Sequence, residues 1–97
     1  MYLLVRGPDG RPVELTFEAW DHVRRRHPEI TESLLDIVLT IEHPLHREPD
    51  PHPGRERLFG RGGPNGWIRV VLEFRGDFDR VTTAFPQAID PRPGNRS

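Results

Sequence analysis

Trp67-Ile68-Arg69-Val70-Val71-Leu72-Glu73-Phe74-Arg75 is the stretch whose reading decides the fold. Ile68, Val70, Leu72 and Phe74 alternate with Trp67, Arg69, Val71, Glu73 and Arg75. That two-residue period belongs to a β-strand with one apolar face. Gly62-Gly63-Pro64-Asn65-Gly66 precedes it and Gly76-Asp77-Phe78-Asp79 follows it. Both are strong turn signals, because Gly supplies positive φ and Pro presets a negative one. Arg55 to Arg61 and Arg80 to Phe85 flank the turns as further strands, so the second half of the chain reads as an antiparallel β-meander.

Helical signals lie upstream. Thr16 is a candidate N-cap for a helix from Phe17 to about Arg26, and Pro28 disfavours helical geometry at His27. A second helix is expected from about Thr31 to Glu42. Ile30, Leu34, Ile37, Val38 and Ile41 recur at helical spacing there, Leu35 and Leu39 widen the stripe, and Pro44 ends it. Before the helices, Tyr2 to Arg6 reads as a strand. Gly7-Pro8-Asp9-Gly10 turns, and Arg11 to Leu15 pairs back as a hairpin. Leu45 to Gly54, proline-rich and polar, is a loop or an irregular edge strand. A hairpin, two helices and then a run of antiparallel strands define an α+β fold. The helices should cover the Ile68/Val70/Leu72/Phe74 face, leaving Arg69 and Glu73 opposite. Residues 1–86 are expected to form one domain and residues 87–97 a flexible proline-rich tail.

Composition narrows the function. A chain of 97 residues supports one core. It has no cysteine, hence no disulfide frame or thiol chemistry. No apolar run approaches the roughly 20 residues of a membrane span, and no signal-peptide pattern opens the chain. A cytoplasmic setting with no membrane partner is therefore expected. All 14 basic residues are arginine, the better bidentate phosphate ligand. The net charge of −1 argues against broad duplex binding but leaves room for a local basic site.

The chemistry-bearing residues begin with Trp20-Asp21-His22-Val23-Arg24-Arg25-Arg26-His27-Pro28-Glu29. Two imidazoles and three guanidiniums on one short helix are the groups that protonate and hold phosphate esters. His22 sits on the flank of this helix, on the side of Arg26; its bland alternative is a surface imidazole. His27 ends the helix, where it would otherwise serve as a dipole partner. Arg55, Arg57 and Arg61 alternate on one strand face and form a stripe, with Arg69 across from them. Trp67 and Phe59 are aromatic platforms for a base. Glu56 and Glu73 are carboxylates more naturally read as arginine partners. His43, His46, Asp50 and His52 match no metal-ligand spacing, so neither metal nor cofactor is expected.

These elements resemble the phage-associated and toxin-type domains of the barnase–EndoU–colicin–RelE (BECR) class of metal-independent ribonucleases. The resemblance rests on Trp20-x-His22-Val23-x-x-Arg26-His27-Pro28-Glu29, Ile37-x-x-x-Ile41-x-x-Pro44, Arg55-x-Arg57-Leu58-Phe59, Val70-Val71 and Val81-Thr82-Thr83-Ala84-Phe85. It covers roughly Thr16 to Pro86. It implies a helices-then-sheet layout and RNA cleavage through the ribose 2′-OH. Catalysis would fall to His22 or His27, Arg57 and Thr83, with Arg26, Arg55, Arg69 and Trp67 binding substrate. An antitoxin or immunity partner follows from the toxin type. The alternative is a non-catalytic protein-interaction or RNA-binding module of the same fold. Thr83 carries a conflict: strict alternation puts it on the face of Val81 and Phe85, which would be the core face.

Overall fold

A computed structural model describes residues 2–94. It is an α+β fold with two α-helices and one six-stranded mixed sheet. β1 (Tyr2–Arg6) and β2 (Pro12–Thr16) form the hairpin, turned at Gly10, whose φ of 81° lies in the region glycine favours. α1 (Phe17–Arg26) starts where the Thr16 hydroxyl accepts from the Ala19 amide at 3.0 Å. It buries Val23 and ends at His27.

α2 (Leu34–Glu42) begins three residues later than the sequence suggests. Pro28–Ile30 forms a single 3₁₀ turn first. The Pro28 carbonyl accepts from the Thr31 hydroxyl at 2.8 Å, and the Ile30 carbonyl accepts from the Ser33 amide at 2.8 Å. Those bonds close the preceding turn, so α-helical bonding starts only with the Ile37 amide to the Ser33 carbonyl. Ile37, Thr40 and Ile41 face the sheet. Leu35 and Leu39 do not widen the buried stripe; they are exposed, since successive 100° steps carry them to the far side of the helix.

β3 (His46–Pro49), β4 (Arg55–Arg61), β5 (Trp67–Phe74) and β6 (Asp79–Gln87) form the antiparallel meander. The sheet order is β1-β2-β6-β5-β4-β3. The hairpin joins the meander through parallel pairing of Val13 with Asp79 and Glu14 with Arg80, so the sheet is mixed rather than wholly antiparallel. Beyond Arg80 the β2-facing side of β6 has no strand partner, and α1 packs against β6.

The core lies between the helices and the sheet: Val13, Val23, Ile30, Ile37, Ile41, Leu58, Ile68, Val70 and Val81 are all essentially buried. Phe74, expected on that face, is 62% exposed at the strand end, with the Arg11 guanidinium over its ring. Gly60 is where α2 comes closest to β4. A Cβ there would stand 3.0 Å from the Thr40 Cβ and 3.2 Å from its Cα. Residues 87–94 continue against the sheet, where the sequence reading ends the domain at 86. β6 runs through Gln87, Pro91 is buried, and Arg92 pairs with Asp90 at 2.7 Å. The last residues of the expected tail, 95–97, lie outside the described residues.

Candidate functional site

The face of the meander turned away from the helices carries the candidate site. Strand register aligns its side chains in rows. Glu48, Arg57, Val71 and Thr83 make one row; His46, Phe59, Arg69 and Phe85 make the next. Thr83 joins this face because of a β-bulge. Val71 pairs with Thr83 while its neighbour Leu72 pairs with Val81, leaving Thr82 as the extra residue, its hydroxyl donating to the Val71 carbonyl at 3.2 Å. The inserted residue shifts the alternation by one. Val81 and Ala84 therefore go to the core, while Thr83 and Phe85 turn the other way, half-buried. This resolves the conflict in the sequence pattern.

A cavity of about 560 Å³ opens on this face. Glu48, Arg57, Phe59, Arg69, Phe85 and Gln87 line it, and Ala88, Ile89 and Pro91 form a wall from the segment after β6. The two arginines differ in their surroundings. Asp50 accepts from Arg57 Nε at 2.8 Å, and Glu48 lies 3.4 Å from its Nη1. Arg57 in turn holds the Asp50 carboxyl below the usual range. Arg69 has no carboxylate within ion-pair distance among the described residues. Its Nε donates to the Gln87 side-chain oxygen at 3.1 Å. Its guanidinium lies 5.3 Å from the Phe59 ring centre and 4.8 Å from that of Phe85. Burial first, and then the Arg57 charge beside it, pulls its pKa below the ordinary arginine value. This is a cation held partly out of water with no carboxylate in contact, the Glu48 and Asp50 charges acting on it only from farther off.

Two imidazoles approach the cavity from opposite sides. His46 Nε2 meets Glu48 Oε1 at 3.0 Å, and its ring packs on Phe59 with centroids 5.5 Å apart. His27 stacks on Phe85 at 5.6 Å with 30° between the planes, and its Nδ1 lies 3.4 Å from Glu29. Phe85 thus touches both His27 and Arg69. A helix imidazole and a sheet guanidinium share one aromatic ring at the cavity edge.

The remaining expected site residues lie elsewhere or are engaged. His22 and Arg26 are exposed on α1 and do not line the cavity. Arg55 pairs with Glu73 at 3.3 Å, and Glu73 also takes Arg75. Glu56 pairs with Arg47, as a partner rather than a lone base. Trp67 is buried beneath two guanidiniums, Arg61 at 4.5 Å and Arg92 at 5.2 Å, so its ring faces are occupied. Phe59 is buried as well, and Phe85 is the more accessible aromatic of the cavity. Glu48, Phe85 and Gln87 line the cavity without being among the expected site residues, and His46, which the sequence offers only as a metal ligand, is the partner of Glu48. The signal for Glu48 and His46 was the alternation His46-x-Glu48-x-Asp50. Of the two readings of this segment, loop or edge strand, the strand is the one that forms, and it puts His46 and Glu48 on one face, with Asp50 following just beyond its end.

No group of three or more His, Cys, Asp or Glu side chains is arranged to hold a metal ion among the described residues. No described helix is long and apolar enough to cross a membrane. Comparisons with protein-family models, with curated proteins and with solved structures find no match to this chain.

Proposed function

We propose that this protein is a metal-independent endoribonuclease, with the cavity between β3 and β6 as its active site. The observation that carries the reading is Arg69: a half-buried guanidinium without a carboxylate partner, flanked by aromatic rings and beside a second arginine. Such a site attracts an anion whose neighbouring groups stack. A phosphodiester of single-stranded RNA meets both demands.

The chemistry follows from the groups at hand. Arg69 and Arg57 hold the non-bridging phosphate oxygens and stabilise the phosphorane. Phe85 offers its ring to a base. Glu48, backed by His46, stands on one side of the arginines as a proton acceptor for the ribose 2′-OH. His27, across Phe85, is the imidazole of the helix and the candidate donor to the leaving 5′ oxygen. Thr83 sits one row from Phe85, available to orient the phosphate. The product is a 2′,3′-cyclic phosphate with a free 5′-OH. A toxin of this kind acts in the cytoplasm and requires an antitoxin or immunity partner. An acidic one that supplies a carboxylate to Arg69 would occlude the site.

The test is incubation of the purified protein with tRNA and mRNA in EDTA. Cleavage is expected, with at least a hundredfold loss of rate in Glu48→Gln and His27→Ala. His22→Ala should cleave as the wild type does. Absence of cleavage, or cleavage indifferent to both Glu48→Gln and His27→Ala, refutes the assignment. One observation favours a second reading, an RNA-binding module without catalysis: His27 reaches the cavity only through Phe85 and does not line it. RNA binding that depends on Arg69, without cleavage, identifies that case.

A further inference from the structure

Gln87, on the cavity floor, is held at both ends of its amide. Its side-chain oxygen accepts from Arg69 Nε at 3.1 Å, and its Nε2 donates to the Ile89 carbonyl at 2.7 Å. A guanidinium only donates and a carbonyl only accepts, so these two partners fix which end of the amide is which. The Ile89 end is itself anchored. Asp90 takes Arg92 through both carboxylate oxygens, at 3.0 and 2.7 Å, and Arg92 lies over the ring of Trp67, the β5 partner of Gln87. Asp90 is the only carboxylate in the wall from Ala88 to Pro91, and Arg92 keeps it engaged. Arg69 is thus hydrogen-bonded to the fold through Nε alone among the described residues, with Phe59 and Phe85 against its guanidinium. Its Nη1 and Nη2 have no hydrogen-bond partner there and keep contact with solvent.

We propose that Gln87 is a positioning residue: it grips Arg69 by Nε and leaves the Nη1–Nη2 end for the two non-bridging oxygens of a phosphodiester. This role rests on the reading of the cavity as a phosphodiester site. A guanidinium can meet two oxygens along an Nε–Nη edge or across its Nη pair. With Nε engaged, the second way is the one left open. The gripping residue must also be neutral. A glutamate at position 87 could accept from Nε as the amide does, but it would bring a carboxylate into ion-pair contact with Arg69. It would also face the Ile89 carbonyl with no proton to give. A phosphate would then compete with a built-in counter-ion. The amide fixes the guanidinium without neutralising it, and the engagement of Asp90 by Arg92 serves the same end.

The probe is dimethyl phosphate, a diester with neither base nor ribose, titrated against isotope-labelled protein and followed by NMR. Arg69→Met assigns the resonances of that guanidinium. In the wild type the Arg69 Nε proton should exchange slowly before and after addition, while the Nη resonances shift. Binding should weaken about fivefold in Gln87→Met and in Gln87→Leu, the loss of one hydrogen bond. It should weaken by more than roughly tenfold in Gln87→Glu. That order discriminates. Were Gln87 only an acceptor that packs Arg69 in place, glutamate would replace it better than methionine or leucine. Gln87→Glu that binds as well as the neutral variants, or better, overturns the proposal. So does a wild-type Arg69 Nε proton that exchanges as fast as that of exposed Arg26, or an Arg69 that does not respond to the probe. RNA cleavage assayed in parallel separates this role from the nuclease reading. Dimethyl phosphate bound in the expected order without RNA cleavage removes the nuclease and leaves the positioning role standing. Undiminished cleavage by Gln87→Glu does the reverse.

Discussion

Replacing Arg69 by methionine separates what this residue does for the fold from what it does for a ligand. In the fold it donates to Gln87 and rests against two aromatic rings. One hydrogen bond is worth about 1 kcal/mol and each cation–π contact about 0.5–1 kcal/mol. Against that stands the penalty of holding a guanidinium partly out of water with no carboxylate in contact, offset in part by the Glu48 and Asp50 charges farther off. Methionine keeps the apolar stem between Phe59 and Phe85 and removes the penalty. Stability in urea should therefore change by no more than about 1 kcal/mol, in either direction. Binding has no such compensation. A charge-assisted hydrogen bond to phosphate contributes about 1.5–3 kcal/mol, so affinity should fall roughly 10- to 150-fold. The assay is fluorescence anisotropy with a short labelled single-stranded RNA, titrated at several salt concentrations. Loss of one phosphate contact should flatten the slope of log K against log salt by about 0.7. Arg26→Met, on the exposed flank of α1, is the comparison. If Arg69→Met leaves both affinity and salt slope unchanged while Arg26→Met lowers them, the RNA-binding face is α1 and the cavity reading fails.

Two further outcomes follow from packing and charge. Gly60→Ala should destabilise the fold by about 1–3 kcal/mol in urea denaturation, because the new methyl meets the Thr40 backbone, which cannot rotate away; an unchanged midpoint would mean that α2 does not approach β4 so closely. Stability should also fall with acid. Asp9, Asp21, Asp50 and Glu73 are held below their usual pKa by arginine hydrogen bonds, and Asp90 is held down to about 2 by Arg92. Lowered folded-state values stabilise the fold above the ordinary carboxylate range, near pH 4, and that contribution disappears as pH drops through the depressed values. Thermal midpoints should decline from about pH 5 down to pH 2. A flat profile over that range would show that the arginine pairs do not differ in strength between folded and unfolded chains.

Much of this protein is legible locally. The alternation from Trp67 to Phe74, the Thr16 cap, the stop at Pro28 and the glycine turns each follow from the conformational preferences of a few adjacent residues, so the chain alone determines the α+β order of its elements. An arginine-bearing face on the meander was legible for the same reason, since the face a side chain takes follows from the two-residue period. Other decisions depend on residues far apart in sequence. The parallel pairing of β2 with β6 depends on how the helices bring the hairpin back to the sheet. The bulge at Thr82 turns Thr83 and Phe85 outward, and no local pattern marks it, because a bulge is defined only against the partner strand. Trp67 reads as a free platform until Arg61 and Arg92 are seen to cover it. Glu48 and His46 gain meaning only when β3 lies beside β4. Short-range propensity set the elements; the tertiary structure decided which side chains share a cavity, because that depends on long-range packing and on which charges find a counter-ion.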